Sequence, residues 1–328
     1  MSIPGALVGR GVTMAPARAA GIRAGAGAVW AFSRPHTVVG TTLSLAGVVA
    51  MTALPRAPGA PSVVDLAMFV AATWIAAVSA NVFIVGLNQL ADVAIDRINK
   101  PELPLPAGAL TRRGAIGVVA ASAAVAIGLG LALGPWLLAT LASGMLVGAA
   151  YSLPPFRLKA SALAAPLSIA LVRGPIVILG LYAHVRAFVG GPDAPPPGIW
   201  LLSLFMTAFA LGIGVAKDLP DIDGDRAHAV GNVAARWGPA AALRASVALL
   251  ASAYALTAVV GLALLSIAGG LALVLLHAGI LVWLLARARS VDPARRDSVH
   301  AFYRIVWRLF YAQCVLLPAV AVLAGALG

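Results

Sequence analysis

The sequence is poor in charge and in cysteine, and both shortages restrict the class of protein. Charged residues make up 10% of the 328 residues, whereas 61% are hydrophobic. Soluble domains carry about 25% charged residues, so the composition excludes an ordinary soluble protein. The single cysteine, Cys314, has no partner for a disulfide within the chain, and its apolar surroundings favour a buried thiol.

Acidic residues are the scarcer of the two charge types, at 11 against 23 lysines and arginines. The excess of basic residues does not indicate a nucleic-acid partner, because the chain has no long Lys/Arg block and no aromatic residues interleaved with basic ones. The sequence also lacks a P-loop, a zinc-ligand pattern and a Rossmann turn in its required context. No Ser/His/Asp or Cys/His arrangement indicates a covalent nucleophile.

Long apolar runs dominate the sequence, and they are long enough to cross a bilayer. A transmembrane helix needs about 20 mostly apolar residues. We therefore predict an all-α integral membrane protein with nine spans, at about 37–54, 64–88, 114–133, 135–151, 161–183, 199–216, 241–264, 267–286 and 307–326.

The lysines and arginines orient these spans. With the N-terminus inside, every basic residue falls on the inner side except Arg56 and Arg186, which lie outside, and Arg173, which lies within the fifth span. Inner loops are the ones that collect Lys and Arg. We predict an N-in, C-out multi-pass protein of the cell inner (plasma) membrane, with the bilayer as its surroundings.

The chain divides into a short N-terminal segment and one membrane domain. Residues 1–31 contain arginine and no acidic residue, so we interpret them as a basic, flexible tail, with a transit peptide as the alternative. Residues 32–328 form the predicted transmembrane domain.

Acidic residues concentrate in two inner segments. The positive-inside rule accounts for basic inner loops but not for acidic ones. These segments read "GLNQLADVAIDRINKPELPLPAG" (86–108) and "KDLPDIDGDR" (217–226). They hold seven of the eleven acidic residues, namely Asp92, Asp96, Glu102, Asp218, Asp221, Asp223 and Asp225.

The spacing of these acids predicts a cation site. Asn88, Asp92 and Asp96 recur every four residues, as do Asp221 and Asp225. On a helix, four residues turn about 400° and rise about 6 Å, which places each set on one stripe. Carboxylates at this spacing repel each other unless a cation lies between them, and Mg²⁺ is held by such oxygens while it keeps positions open for phosphate. We predict that Asp92, Asp96, Asp221 and Asp225 hold Mg²⁺ for a diphosphate.

Basic residues near the stripes are candidates for binding that diphosphate. They are Arg97, Lys100, Arg157, Lys159 and Lys217. Arg173 is a charge within a span, which indicates function by default, with a structural ion pair to an inner Asp as the alternative. Arg34, just before the first span, either binds a substrate anion or anchors the helix.

Five stretches resemble the UbiA superfamily of intramembrane prenyltransferases, most of all its homogentisate prenyltransferase branch. They are "FSRPHTVVGTTLS", "NQLADVAIDRINKPELPLPAG", "YSLPPFRLK", "KDLPDIDGD" and "FYRIVWRLFYAQCVLLP", so the resemblance covers residues 32 to 318. The two Asp-rich stretches are specific to the superfamily, and the remaining three are less specific to the branch.

The resemblance implies nine transmembrane helices around a central cavity, capped by inner Asp-rich loops at about 89–113 and 217–240. It implies a prenyl diphosphate and a small aromatic acceptor as substrates, with Mg²⁺ as cofactor. By motif position, Asn88, Asp92 and Asp96 match the first catalytic motif, and Asp218, Asp221 and Asp225 match the second. Tyr151, at the start of "YSLPPFRLK", joins the expected substrate-binding residues.

The predicted chemistry is ionisation of the prenyl diphosphate to an allylic cation, which an aromatic carbon of the acceptor then attacks. With homogentisate as acceptor, Arg34 or Arg173 is the expected partner of its carboxylate. The stretch "RAHAVGNVAARWGP" departs from the family pattern and leaves the acceptor open to a quinoline, a naphthoate or chlorophyllide. The same residues also allow a UbiA-type terpene cyclase that acts without an acceptor and, outside enzymes, a divalent-cation transporter. The sequence gives no oligomeric state.

Overall fold

The computed structural model describes residues 22–53, 59–191, 193–228 and 230–326. Regular structure in these ranges is helical, apart from one isolated bridge between Ser161 and Gly231. The helices are α1 (Ile22–Phe32), α2 (Pro35–Ala53), α3 (Val63–Ala91), α4 (Val93–Asn99), α5 (Arg112–Leu133), α6 (Pro135–Ser152), α7 (Ala164–Leu171), α8 (Gly180–Val189), α9 (Pro197–Ala216), α10 (Ile222–Ala227), α11 (Val233–Trp237), α12 (Pro239–Leu264), α13 (Ile267–Arg289) and α14 (Arg296–Ala326).

The predicted number of membrane spans and their order along the chain are confirmed. Within the described ranges, nine helical segments are long and apolar enough to cross a membrane, from Pro35–Ala53 to Arg296–Ala324. The last one begins well before the predicted residue 307. Its first turns carry Arg296, Asp297 and Arg304, and these charged residues lower the hydropathy of the segment before residue 307.

Two Gly-Pro pairs each connect one helix directly to the next. Gly134 has φ +118° between α5 and α6, and Gly238 has φ +84° between α11 and α12. Residues with a side chain rarely adopt these φ values, and the following Pro135 and Pro239 start helices whose first N–H groups need no partner. The first pair produces the tight hairpin of the third and fourth spans.

The first Asp-rich stretch does not form one continuous helix, which corrects the predicted stripe. Helix α3 ends at Ala91 and α4 begins at Val93, with Asp92 between them at φ −110° and ψ 13°. The four-residue spacing survives nevertheless. Asp92 N donates to Asn88 O at 3.0 Å and Asp96 N donates to Asp92 O at 2.8 Å, so the three side chains still follow one another.

The fifth span has three parts. Helix α7 is followed by a π-helical segment, Val172–Leu179, which contains Pro175 and leads into α8. Proline removes a backbone donor and disturbs a regular helix, and π-helical segments occur often at functional sites. Arg173 lies in this segment.

Helix α9 is the most buried span and forms the centre of the core. Phe205 and Phe209 on α9 are fully buried and pack against each other and against Tyr254 of α12. A Cβ on Gly212 would lie 2.7 Å from Leu250 Cγ, so this close approach of α9 to α12 requires glycine. Large exposed apolar side chains on the outer spans, such as Leu146 and Leu275, fit a lipid-facing surface.

Part of the predicted N-terminal segment is helical. Helix α1 extends from Ile22 to Phe32, and Phe32 is fully buried against α5. The preceding residues of that segment lie outside the described residues. The division at residue 31 and the capping role of residues 89–113 and 217–240 stay predictions.

Candidate active site

One cavity of about 710 Å³ lies among the helices. Residues from α2, α3, α6, α9, α14 and the fifth span line it. Apolar side chains such as Leu141, Val177 and Leu181 form much of its wall, whereas aspartates and lysines gather where α4 and α10 meet it. The cavity therefore combines a charged end with an apolar interior.

The structure places most of the predicted site residues in this one wall. These are Arg34, Asn88, Asp92, Asp96, Lys100, Tyr151, Lys159, Arg173, Lys217, Asp218, Asp221 and Asp225. Two predicted diphosphate ligands are elsewhere. Arg97 is exposed and Arg157 is half-buried, and neither is part of the wall.

Asp92 is held by two neighbours. Lys159 Nζ forms an ion pair with Asp92 Oδ1, and Asn88 Nδ2 donates to Asp92 Oδ2 at 3.1 Å. Burial lowers the pKa of Lys159, and the carboxylate of Asp92 opposes that change. The turn Leu158–Ala160 thus brings a buried cation from the loop after α6 to the first Asp motif.

The second motif contacts the first through a lysine. Lys100, which follows α4, forms an ion pair with Asp221, and Lys217 pairs with the neighbouring Asp218. Asn232 Nδ2 donates to Asp225 Oδ2 at 2.6 Å. Carboxylates from the two Asp-rich segments therefore face one space.

The carboxylates influence each other electrostatically. Burial raises the pKa of Asp96 to about 6, Asp92 and Asp221 add to that effect, and Arg34 and Lys100 oppose it. The rise in the pKa of Asp96 therefore comes mainly from removal of its carboxyl group from water, which disfavours the charged form.

The donor set fits a magnesium ion that takes phosphate oxygens as further ligands. No group of three or more His, Cys, Asp or Glu side chains in the described ranges is placed to hold an ion by itself. Each motif instead supplies a pair of carboxylates, and Asp221 Oδ1 is buried with no hydrogen-bond partner in the described structure. Mg²⁺ is commonly bound by one or two carboxylates together with substrate phosphates.

Asn99 connects the two motifs, and the sequence pattern did not single it out. Its Nδ2 donates to the carbonyl oxygen of Asp221 at 2.8 Å, and its Oδ1 accepts from Gly224 N at 2.7 Å. Asn99 is 3% exposed. Its partners are more than a hundred residues away, so the only signal in the sequence was its place inside "DRINKP", directly before Lys100.

Arg173 lies apart from the carboxylates, against aromatic rings of α14. Its Cζ is 5.0 Å from the ring centroid of Trp307 and 4.9 Å from that of Phe310. The alternative of a structural ion pair with an inner Asp is not observed, because the described residues offer Arg173 no salt-bridge partner. Trp307, Phe310 and Tyr303 line the cavity, and the sequence marked them only as members of the stretch "FYRIVWRLFYAQCVLLP".

The fold and this site define a class of membrane protein. The nine spans of the described ranges enclose a cavity with paired carboxylates and lysines at one end and an apolar interior, which suits an anionic group attached to an apolar chain. The chain belongs to the UbiA prenyltransferase family, whose model matches residues 40–313. It is accordingly a membrane-embedded prenyltransferase.

Named relatives and a solved structure agree with this family. The chain is 39% identical to the homogentisate phytyltransferase of Synechocystis sp. over 297 residues, which cover 89% of this chain and 94% of the relative. It is 36% identical to homogentisate phytyltransferase 1 of Arabidopsis thaliana over 295 residues, covering 89% and 74% of the two chains. A UbiA homolog from Archaeoglobus fulgidus, solved with GPP and Mg²⁺, shares the fold with a TM-score of 0.61 at 17% identity, covering 89% of this chain and 99% of that one.

Proposed function

We propose that this protein transfers a prenyl group from a prenyl diphosphate to homogentisate in a Mg²⁺-dependent reaction. The observation that carries the proposal is the pairing of two facing carboxylate sets with Lys100, Lys159 and Lys217 at one end of an otherwise apolar cavity. The homogentisate phytyltransferases of Synechocystis and Arabidopsis support the choice of acceptor.

In this proposal the charged end binds the diphosphate. Asp92, Asp96, Asp221 and Asp225 would hold Mg²⁺, which supplies positive charge to the diphosphate leaving group. Each of the three lysines has three N–H donors, so a lysine that pairs with a carboxylate retains donors for a phosphate oxygen. Preorganised cations at a developing negative charge are a major source of rate enhancement.

The apolar part of the cavity would hold the isoprenoid chain and exclude water. The C–O bond of the prenyl diphosphate breaks, and its electron pair leaves with the diphosphate. An aromatic carbon of the acceptor then bonds to the allylic carbon, and the ring loses a proton. An apolar wall protects the allylic cation, because water would otherwise capture it.

We further propose that the protein lies in the cell inner membrane with its N-terminus and the charged end of the cavity on the cytoplasmic side. The distribution of lysines and arginines supports this orientation. Both Asp-rich segments then meet a diphosphate from the cytoplasmic face.

The direct test is product formation by the purified full-length protein in detergent or in vesicles. The protein is incubated with Mg²⁺, geranylgeranyl or phytyl diphosphate, and a panel of homogentisate and further aromatic acceptors, and products are identified by mass. We expect a prenylated homogentisate and an equal amount of released diphosphate. A cyclised hydrocarbon from the donor alone would support the cyclase instead, and absence of diphosphate release would contradict the proposal.

Variants of the two motifs sharpen that test. Asp92→Asn and Asp221→Asn each remove one charge from the cavity wall, and we expect each to lower kcat/KM for the donor by about 100-fold or more. Asp223→Asn is the matched control, because Asp223 belongs to the same motif but is exposed and outside the wall. Equal losses in all three variants would argue against the assigned roles of Asp92 and Asp221.

A further inference from the structure

Arg173 differs from the lysines of the cavity in having no acidic partner. Lys100, Lys159 and Lys217 each pair with an aspartate. The described residues give the side chain of Arg173 neither an ion pair nor a hydrogen bond, although it lines the cavity wall within the span Ala164–Val189. A guanidinium has five N–H donors, and leaving them without acceptors away from bulk water is costly.

The surroundings of Arg173 compensate its charge only in part. Trp307 and Phe310 present their rings to the guanidinium at 5.0 and 4.9 Å, and such contacts stabilise a cation. However, the two rings do not accept hydrogen bonds from the N–H groups, which point outward in the plane of the guanidinium. Trp307 Nε1 is itself buried with no hydrogen-bond partner in the described structure, so two neighbouring side chains in one wall carry donors without acceptors.

Arg173 also lies away from the diphosphate end. Arg34 is close enough to Asp96 to oppose the rise of the pKa of that carboxyl, which places Arg34 with the carboxylates. Arg173 lies roughly 13 Å along the helix from the inner end of its span at Ala164. No aspartate of the two motifs is paired with Arg173, which leaves its guanidinium available to a second anionic group.

The rings near Arg173 indicate what carries that anion. Trp307 stacks edge-on with His36 at 4.8 Å, and Phe310 and Tyr303 line the same cavity. A Cβ on Gly40 of α2 would lie 3.0 Å from Phe310 Cε1. Because Gly40 has no side chain, Phe310 keeps its position in the cavity wall. A planar aromatic ring with an acidic side chain matches these partners in both shape and charge.

We propose that Arg173 binds the carboxylate of the aromatic acceptor, with Trp307 Nε1 as a second donor, and thereby selects acidic acceptors over neutral ones. The inference rests on the proposed function in taking an arylacetate such as homogentisate as acceptor. It assigns the acceptor carboxylate to Arg173 and leaves Arg34 with the diphosphate end. A planar guanidinium suits a carboxylate because it forms two parallel hydrogen bonds with it.

The test compares homogentisate with its neutral primary amide, 2,5-dihydroxyphenylacetamide. Both are measured in the absence and in the presence of the prenyl diphosphate, which is the prenyl donor. Without donor, binding of each compound to the purified full-length protein is measured as a shift of the thermal unfolding midpoint and by equilibrium dialysis. With donor and Mg²⁺, kcat/KM is measured for both acceptors. The matched control is Arg308→Met, because Arg308 lies on α14 beside the aromatic wall but is exposed.

We expect the wild type and Arg308→Met to prefer the acid over the amide by roughly 10- to 100-fold, the range for a hydrogen-bonded charge. Arg173→Met should abolish this preference, raise the KM for homogentisate, and leave the KM for the donor unchanged. Arg173→Lys keeps the charge without the planar fork and should restore the preference in part.

Three results would count against the inference. A wild type that binds acid and amide equally, or an Arg173→Met variant that keeps the preference, would overturn it, and the wild-type comparison needs no variant to fold. A raised donor KM in Arg173→Met would assign Arg173 to the diphosphate instead. Failure of the proposed function is a separate result, since it appears as no prenylated product while the donor-free binding preference is still measured.

Discussion

Single residues at the charged end of the cavity are held in place by specific partners. Asp92 is paired with Lys159 and accepts from Asn88, and Asp225 accepts from Asn232. These contacts keep buried carboxylates in one orientation, which a substrate-binding site needs before substrate arrives. Lys159 is the most deeply buried of the paired lysines, at 7% exposure.

Lys159→Met tests the role of this buried cation. The change removes the partner of Asp92 and one donor for a phosphate oxygen, so we expect kcat/KM for the prenyl diphosphate to fall by about 100-fold or more. The KM for the acceptor should stay close to the wild-type value. Steady-state kinetics with each substrate varied in turn separate the two effects.

Arg157→Met is the comparison for that variant. Arg157 lies in the same loop but is half-buried and outside the cavity wall, so its loss should have an effect at least tenfold smaller, about the difference between a surface and a buried charge. If both variants lose donor affinity equally, the wall of the site extends to Arg157. The sequence could not separate these residues, because inner loops are basic whether or not they bind substrate.

Among the elements, α4 and α10 determine how far apart the two Asp motifs lie. Asn99, the last residue of α4, bonds to both Asp221 O and Gly224 N, and Arg296 at the start of α14 donates to the carbonyl oxygen of Asn99. A Cβ on Gly224 would lie 2.6 Å from the Asn99 side-chain atoms. The two segments therefore meet at a contact that leaves no room for a larger residue.

Gly224→Ala should disturb this contact without touching a carboxylate. The added methyl group must displace Asn99 or α10, and a small displacement of catalytic groups lowers rates by about 100-fold. We expect a lower kcat and a higher Mg²⁺ concentration for half-maximal rate, because the carboxylate pairs no longer face each other correctly. A Mg²⁺ titration of product formation measures both.

Three further variants complete this test, and the first of them controls for simple misfolding. Gly117→Ala adds the same methyl group on α5, where nothing lies within 4 Å, and should leave the rate and the Mg²⁺ requirement unchanged. Asn99→Ala and the double variant Asn99→Ala/Gly224→Ala should be equally impaired, since both substitutions break the same contact and neighbouring effects are not additive. Additive losses would show that Gly224 acts independently of Asn99.

Much of this element-level arrangement was predictable, and the rest depended on distant contacts. The four-residue spacing of Asn88, Asp92 and Asp96 predicted side chains that follow one another, and they do. The helix break at Asp92 and the π-helical segment around Arg173 were not predicted. The residues beside Asp92 have ordinary helix-forming character, whereas Gly174 and Pro175 indicate a disturbance of the fifth span but not its hydrogen-bonding pattern. The bonds of Asn99 join residues more than a hundred positions apart, and no local pattern encodes them.

On the scale of the whole molecule, the unequal distribution of lysines and arginines and the position of the cavity together determine how the protein meets its substrate. Composition and hydropathy predicted the nine spans of the described ranges because each apolar run is long and is separated from the next by polar residues or by a short turn with Gly, Pro or Ser. They could not predict the cavity wall, since lipid-facing and cavity-facing residues are similarly apolar along the chain. The proposed orientation of the molecule also follows from charge alone, and it determines from which side the diphosphate enters.

Cysteine labelling tests this orientation, and the native chain suits the method because its one thiol, Cys314, is buried. Ala109 in the loop before α5 and Ala194 in the loop before α9 are both exposed, and each is changed to cysteine in a Cys314→Ala background. A membrane-impermeant maleimide is added to intact cells and to inverted membrane vesicles. Because an odd number of spans separates the two loops, we expect Ala109→Cys to react in inverted vesicles and Ala194→Cys to react in cells. The reverse result would place the charged end of the cavity on the outer face, and reaction of both from one side would contradict the order of spans.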